Sequence, residues 1–467
     1  MSSTNQPIPP AASTSPAPPP VARSLAAPGG VREVLVLAIP VILTQISMTA
    51  MGIVDSAMVG SLGATELGAV GFGGIWLWTF VSFFVGTMSA VQTFVSQREG
   101  AGASSECGAW AWQGLYALAP MGLLVTAILY FGAEDLMRLL GPSEELQPLA
   151  TSYVSVRSLG ILGVLGAVAM SSFFRGIGDT KTPLYATLVA NAANVVLDYG
   201  LIFGELGLPR LGVTGAGAAT AIAEWIYLAA MIVPFLRPFI RQRYHTTRRT
   251  PRPSDIRRLL RTGAPIGGQW WLEMVSFAAF TTLVAKMGDA SMAASQVFVA
   301  LLSISFMQAS GLATAVQTLV GQYIGSEQHV YAEKSFRSGL KLAIFLAGAI
   351  AILFYSVPEL LIGIFTDDPE VIRLGVPLIL LGALFQFFDA FGIVADGALR
   401  GAGDTRWPFV IRFALGWLVF LPLAYWMGIV LEGGLSWAWA AGVIEVSLLS
   451  TALIWRFHSG AWRHIVI

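Results

Sequence analysis

Twelve stretches of this chain are each long and apolar enough to cross a lipid bilayer, at about 33–58, 68–96, 110–132, 149–173, 183–204, 213–236, 258–286, 292–321, 338–358, 371–398, 408–430 and 435–456. A helix needs about 20 mostly apolar residues to span the hydrocarbon core, and these runs are too long and too even for barrel strands, which alternate over about ten residues. Composition agrees. The chain is 55% hydrophobic and only 12% charged, about half the charged fraction of soluble domains. The fold class expected is therefore an all-α polytopic membrane protein with twelve transmembrane helices.

The formal net charge of zero conceals an asymmetry. From Arg237 to Arg261 there are nine arginines and one acid, Asp255, so the positive-inside rule makes this segment cytoplasmic. Six spans precede it, which puts the N-terminus inside as well. Loops on the same side carry Arg98, Arg175 with Lys181, Lys334 with Arg337, and Arg400 with Arg406. Those on the opposite side carry Glu66, Glu134, Asp135, Glu144, Glu145, Glu359, Asp367, Asp368 and Glu370. The expected address is the plasma (inner) membrane, with both termini cytoplasmic.

The first 30 residues are rich in Pro, Ser and Ala and have no apolar core segment, which argues against a signal peptide and for a disordered tail over 1–31. A lone cysteine, Cys107, excludes an internal disulfide. All four histidines (His245, His329, His458 and His464) fall in expected cytoplasmic segments, so a membrane-embedded His/Cys metal centre has no ligands. The phosphate-loop spacing GxxxxGK[ST] is absent, so ATP is not expected to drive the protein. These points argue against a membrane-embedded enzyme.

The chain also repeats itself. RGIGDTKTP begins at Arg175 and RGAGDTRWP at Arg400, an offset of 225 (400 − 175). The same offset carries Pro40 to Pro265, Gly63 to Gly288, Gln92 to Gln317, Thr93 to Thr318, Gln97 to Gln322 and Gly100 to Gly325. Near the end, AATAIAE finishing at Glu224 pairs with AAGVIE finishing at Glu445, so the last loop of the second copy is shorter. Each copy holds an even number of spans, which makes the repeats parallel, with substrate handled at their interface. The domains expected are an N-lobe over 32–236, a basic cytoplasmic linker over 237–257, a C-lobe over 258–457 and a cytoplasmic tail over 458–467. The RG-x-GDT turns read as structural or gating elements.

Seven acids fall within the expected spans: Asp55, Asp198, Glu224, Glu273, Asp389, Asp396 and Glu445. Against them stand only Arg157 and Arg412. A charge at the bilayer centre costs roughly 2.5–3.5 kcal/mol on insertion scales, so those retained usually face a cavity and serve a function. Asn191, Asn194 and Asp198 share one helical face, as do Gln386, Asp389 and Asp396, while Gln269 lies one turn before Glu273. Such carboxylates suit either a proton or a hard cation such as Na⁺. The plainer reading of each is an acid that hydrogen-bonds a neighbouring helix. The repeat does not copy them: Asp55 corresponds to Phe280, Asp198 to Leu423, Glu273 to Met48 and Asp389 to Val164. Trp270 and Trp271, within a turn of Glu273, are candidates for stacking on an organic cation, worth about 0.5–2 kcal/mol each.

IPVILTQISMTAMGIVDSAMVGSLG, FFRGIGDTKTPLYATLVANAANVVLDYGLIFG, PIGGQWWLEMVSFAAFTTLVAKMGDASMAASQ and FQFFDAFGIVADGALRGAGDT together resemble the multidrug and toxic compound extrusion (MATE) family, NorM-like branch, over roughly residues 32–456. The resemblance implies a V-shaped pair of six-helix lobes that exports cationic amphipathic compounds in exchange for Na⁺ or H⁺. Asp55, Asn194 and Asp198 then match an N-lobe cation or proton site, and Glu273 with Asp389 a C-lobe one; Na⁺ is the metal candidate at either. Cavity candidates are Gln45, Met51, Asn191, Gln269, Trp270, Trp271, Gln296, Gln386 and Asp396. The partners expected are organic cations and the bilayer, without nucleic acid, ATP or a bound cofactor, and the protein is expected to be a monomer. The alternative is a flippase for a lipid-linked saccharide, whose phosphates call for more cavity arginines than this chain offers.

Overall fold

The computed structural model describes residues 27–247, 249–465 and 467. Most of the expected tail over 1–31, and Arg248 of the basic linker, lie outside the described residues. Among the described residues there is no strand. The bundle is built from twelve long helical segments: α1 (Val31–Gly60), α2 (Ala64–Gly100), α3 (Ser104–Phe131), α4 (arms Leu146–Ser158 and Ile161–Gly176), α5 (Lys181–Phe203), α6 (Val213–Phe235), α7 (Pro253–Ala285), α8 (Asp289–Gly325), α9 (His329–Ser356), α10 (Pro369–Gly401), α11 (Arg406–Val430) and α12 (Gly434–His458). Short helices over Ala133–Leu140, Pro238–Tyr244 and Pro358–Gly363 fill connections, and a further one over Ala461–His464 follows α12.

Ten of these helices are individually long and apolar enough to cross a membrane, and the two arms of α4, bent by 46°, together make an eleventh. The remaining one of the expected spans, α7, has the length but not the composition. Its first turns carry Arg257, Arg258 and Arg261, and its middle carries Gln269 and Glu273. Gln269 is buried and bonded to other helices, donating to the Thr405 carbonyl at 3.2 Å and accepting from Arg400 at 3.1 Å. A side chain satisfied by protein does not need to be apolar.

The repeat reappears as geometry. α2 and α8 are both 37 residues long and both end on a glycine, Gly100 and Gly325. α3 and α9 are both 28 residues long. Each lobe has its own apolar core: one built on α2, α3 and α4, the other on α8, α9, α10 and α12. The first helix of each lobe also leans on the other lobe. Val34, Leu37 and Ala38 of α1 are buried in the core of the C-lobe, and Leu259 of α7 in that of the N-lobe.

At one end the lobes are tied by hydrogen bonds that obey the repeat. Gln97 Nε2 donates to the Gly401 carbonyl at 3.0 Å, and its counterpart Gln322 Nε2 to the Gly176 carbonyl at 2.9 Å. Thr93 Oγ1 donates to the Arg400 carbonyl at 2.9 Å, and Thr318 Oγ1 to the Arg175 carbonyl at 3.0 Å. Gln92 reaches Thr318 Oγ1 at 3.0 Å, and Gln317 reaches Thr93 Oγ1 at 3.3 Å. The carbonyl acceptors belong to the RG-x-GDT turns, so those turns bind the opposite lobe. Glycine makes the approach close enough: a Cβ on Gly100 would lie 1.9 Å from the Gln322 carbonyl oxygen, and one on Gly325 would lie 2.0 Å from that of Gln97. The basic linker leaves from this same end and is strapped to α3, with Trp112 Nε1 and Gln113 Nε2 donating to the Thr246 and Thr250 carbonyls at 3.0 Å each.

Forcing a methyl group into this seam should cost about 1–3 kcal/mol, the range for overpacking a close-packed contact. Gly100→Ala is therefore expected to lower the thermal unfolding midpoint in detergent. Gly52→Ala, where a Cβ meets nothing within 4 Å, should leave it unchanged or raise it. Equal midpoints for the two variants would show that the lobes are not held this closely.

Candidate functional site

In the N-lobe, Asn191, Asn194 and Asp198 project from one face of α5 toward α1, as their spacing requires. Asn191 Nδ2 donates to the Ser47 carbonyl at 2.9 Å and to Ser47 Oγ at 2.8 Å, pinning α5 to α1. One turn on, Asn194 is buried and donates its amide to Asp198 Oδ2. Asp198 is 0% exposed and lies within hydrogen-bonding reach of the half-buried Asp55 on α1. Asp55 Oδ1 and Asp198 Oδ1 are both buried without a donor. Oxygens of two carboxylates need a proton, a cation or another donor between them, and leaving either oxygen bare costs free energy. Oxygen donors of this kind are what a hard cation takes.

In the C-lobe the acids sit differently. Glu273 on α7 receives Arg412 Nη1 at 3.4 Å. Arg412 is also within electrostatic reach of Asp389, Asp396 and Glu445, so one guanidinium serves several carboxylates contributed by α7, α10 and α12. α11 is wound as a π-helix over Ala414–Phe420, directly after Arg412, and again over Trp426–Val430. Pro422 lies between these two stretches, where its missing N–H breaks the regular ladder. Such π turns occur often at functional sites.

The cavity candidates divide into groups. Asp396 is buried and paired to Arg400 at 2.5 Å, and Gln269 binds the same guanidinium. Both therefore brace the RG turn at the tied end. Trp270 lies beneath Arg400, with the guanidinium carbon 6.0 Å from the ring centroid. Gln386 is buried, with its amide near the Ala347 carbonyl at 3.5 Å and its Oε1 unpartnered. Met51 is buried, Gln45 and Asn191 are half-buried, and Trp271 and Gln296 are exposed.

Sequence reasoning named Arg412 and Glu445 only as intramembrane charges and gave neither a role. The structure puts both beside Glu273 and Asp389. The signal was present in the rarity of intramembrane arginine, but pairing across four helices has no sequence spacing to reveal it. Ser47, the partner of Asn191, carried no signal at all.

Comparison with known proteins agrees with this architecture. The family model MatE matches residues 40–200 and again 265–426, two blocks that begin on the equivalent prolines Pro40 and Pro265. A curated relative from Thermotoga maritima, described as probable multidrug resistance protein NorM, is 29% identical over 438 residues, covering 92% of this chain and 93% of its own. A crystal structure of MATE in the straight conformation superposes with a TM-score of 0.85 at 19% identity, covering 93% of this chain and 97% of its own. The eukaryotic MATE transporter AtDTX14 superposes at 0.82 and 19% identity, over 92% and 96%. At that identity the two structures speak for the fold alone. The two matched blocks take in most of the chain and both of its lobes, and the chain belongs to the MatE family of multidrug and toxic compound extrusion transporters.

Proposed function

We propose that this protein is a secondary active antiporter that exports cationic amphipathic compounds in exchange for Na⁺ or H⁺ by alternating access, with the ion taken up at Asp55, Asn194 and Asp198. The observation that carries this reading is the pair of donorless oxygens on Asp55 and Asp198 inside a helical bundle. The name given to the Thermotoga maritima relative, probable multidrug resistance protein NorM, supports the substrate class. The protein works in the plasma (inner) membrane as a monomer with both termini cytoplasmic, and it uses neither ATP nor a bound cofactor.

The basic linker marks the tied end as cytoplasmic, so the cross-lobe bonds of Gln97 and Gln322 close the inner side. In this conformation the ion reaches Asp55 and Asp198 from outside. Bound there, it neutralises the pair and draws α1 onto α5, and the lobe contact made by the first turns of α1 follows. The organic cation binds on the C-lobe side, where Glu273 and Asp389 outnumber the single Arg412. Each elementary charge crossing the membrane contributes about 2.3 kcal/mol per 100 mV, so export is driven when more coupling charge enters than substrate charge leaves.

Efflux of ethidium from vesicles, with a Na⁺ gradient or a pH gradient imposed separately, identifies the ion. Asp55→Asn and Asp198→Asn should each abolish gradient-driven efflux while the protein stays folded; undiminished efflux in both would remove the N-lobe site. A second outcome separates the lobes. Glu273→Gln and Asp389→Asn should raise the ethidium concentration for half-maximal efflux at least fivefold and keep the dependence on the gradient. Loss of gradient dependence in these two variants would place coupling in the C-lobe instead.

A further inference from the structure

Behind Asp55 lies a second buried charge pair that the transport reading leaves unused. Arg157, on α4 just before its bend, donates Nη1 to Glu224 Oε2 at 2.7 Å and Nη2 to Glu224 Oε1 at 2.6 Å. Both side chains are largely enclosed, at 15% and 14% exposure. A planar guanidinium meeting a carboxylate through two parallel bonds is the strongest and most directional ion pair available to side chains. Tyr153, one turn earlier on α4, lies within hydrogen-bonding reach of the same guanidinium.

The backbone makes room for this pair. A Cβ on Gly160 would lie 2.2 Å from Glu224 Oε2 and 3.1 Å from Arg157 Nη1. One on Gly163 would lie 3.0 Å from the backbone of Glu224 and Trp225. The two glycines flank the start of the second arm of α4 and let α6 approach closely at Glu224. The 46° bend in α4 falls at the same place.

Asp55 is in electrostatic reach of both Arg157 and Tyr153. An arginine near a coupling carboxylate poses a problem, because its fixed charge can occupy the carboxylate and displace the exchangeable ion. Arg157 stays charged at every accessible pH, and a second carboxylate is the strongest partner that can hold it elsewhere. Glu224, on α6, occupies that position with both oxygens.

We infer that Glu224 is a positioning residue that sequesters Arg157 and so keeps the Asp55–Asp198 pair open to an exchangeable cation or proton. The inference rests on the reading of that pair as the coupling site. Two different acids compete for one guanidinium, and the bidentate fit to Glu224 decides the competition. Removing Glu224 alone frees Arg157 to turn onto Asp55 and short-circuit the ion site from within. Removing both partners leaves the Asp55–Asp198 pair without that internal competitor. A salt bridge that only held α4 to α6 would also regain stability in the double variant, because the unpaired guanidinium is gone, but it would leave the ion concentration for half-maximal efflux unmoved in both variants.

The test is gradient-driven ethidium efflux from vesicles containing the full chain, using whichever of Na⁺ or H⁺ drives the unaltered protein. Glu224→Gln should raise the ion concentration for half-maximal efflux at least fivefold. Adding Arg157→Gln should recover at least half of that change on a logarithmic scale. A rise below fivefold, or a double variant that recovers less than half, overturns the inference. Where Glu224→Gln does not purify folded, Glu224→Asp replaces it; the shortened acid cannot reach both guanidinium nitrogens equally, and a rise of at least twofold, reversed by Arg157→Gln, is expected. Asp55→Asn runs alongside. Gradient-driven efflux surviving in that variant overturns the coupling-site reading and the inference with it. A normal Glu224→Gln beside an inactive Asp55→Asn overturns the inference alone.

Discussion

Neutralising charge in a medium that cannot solvate it is the constraint around which the interior of this protein is organised. A bare charge at the bilayer centre costs about 2.5–3.5 kcal/mol, and breaking a buried pair costs about 3–5 kcal/mol. Most intramembrane charges here have fixed partners: Arg157 with Glu224, Arg400 with Asp396, and Arg412 with Glu273. Asp55 and Asp198 are different. They face each other with donorless oxygens, and among the described residues no arginine is bonded to either. The difference between paired and unpaired acids separates the scaffold from the candidate site.

The same economy explains the two kinds of symmetry. Where the RG-x-GDT turns meet the opposite lobe, the seam is made of glutamine and threonine side chains on backbone carbonyls, and these four bonds follow the 225-residue repeat. Neutral bonds of about 1 kcal/mol each hold these turns without burying charge. The ionisable residues do not follow the repeat. Glu224 and its counterpart Glu445 are both acids, yet one is held by an arginine on α4 and the other lies near an arginine on α11. The unduplicated charges give the two lobes different chemistry.

Much of this was legible in the residues. Apolar runs, loop charges and repeated motifs are local properties, and a hydrocarbon solvent translates them almost directly into helices. The face shared by Asn194 and Asp198 is likewise a matter of helical spacing. α7 shows where that logic thins. Its polar positions are satisfied by other helices, so composition alone marks it less clearly than the other spans. Asp396 and Gln269 read as cavity candidates by spacing, and both turn out to be bonded to Arg400. Spacing places a side chain on a face but says nothing about what stands opposite.

The sequence by itself determined that the chain is a helical membrane bundle, that it is a parallel duplication, and which few acids lie in its spans. Those facts depend on near neighbours and on the solvent. Only the tertiary structure decided which acids have a resident arginine and which do not, because α1 meets α5, α4 meets α6 and α11 meets α7 through space rather than along the chain. It also showed that the RG-x-GDT turns accept hydrogen bonds from the opposite lobe, a role that a turn motif read in isolation cannot disclose.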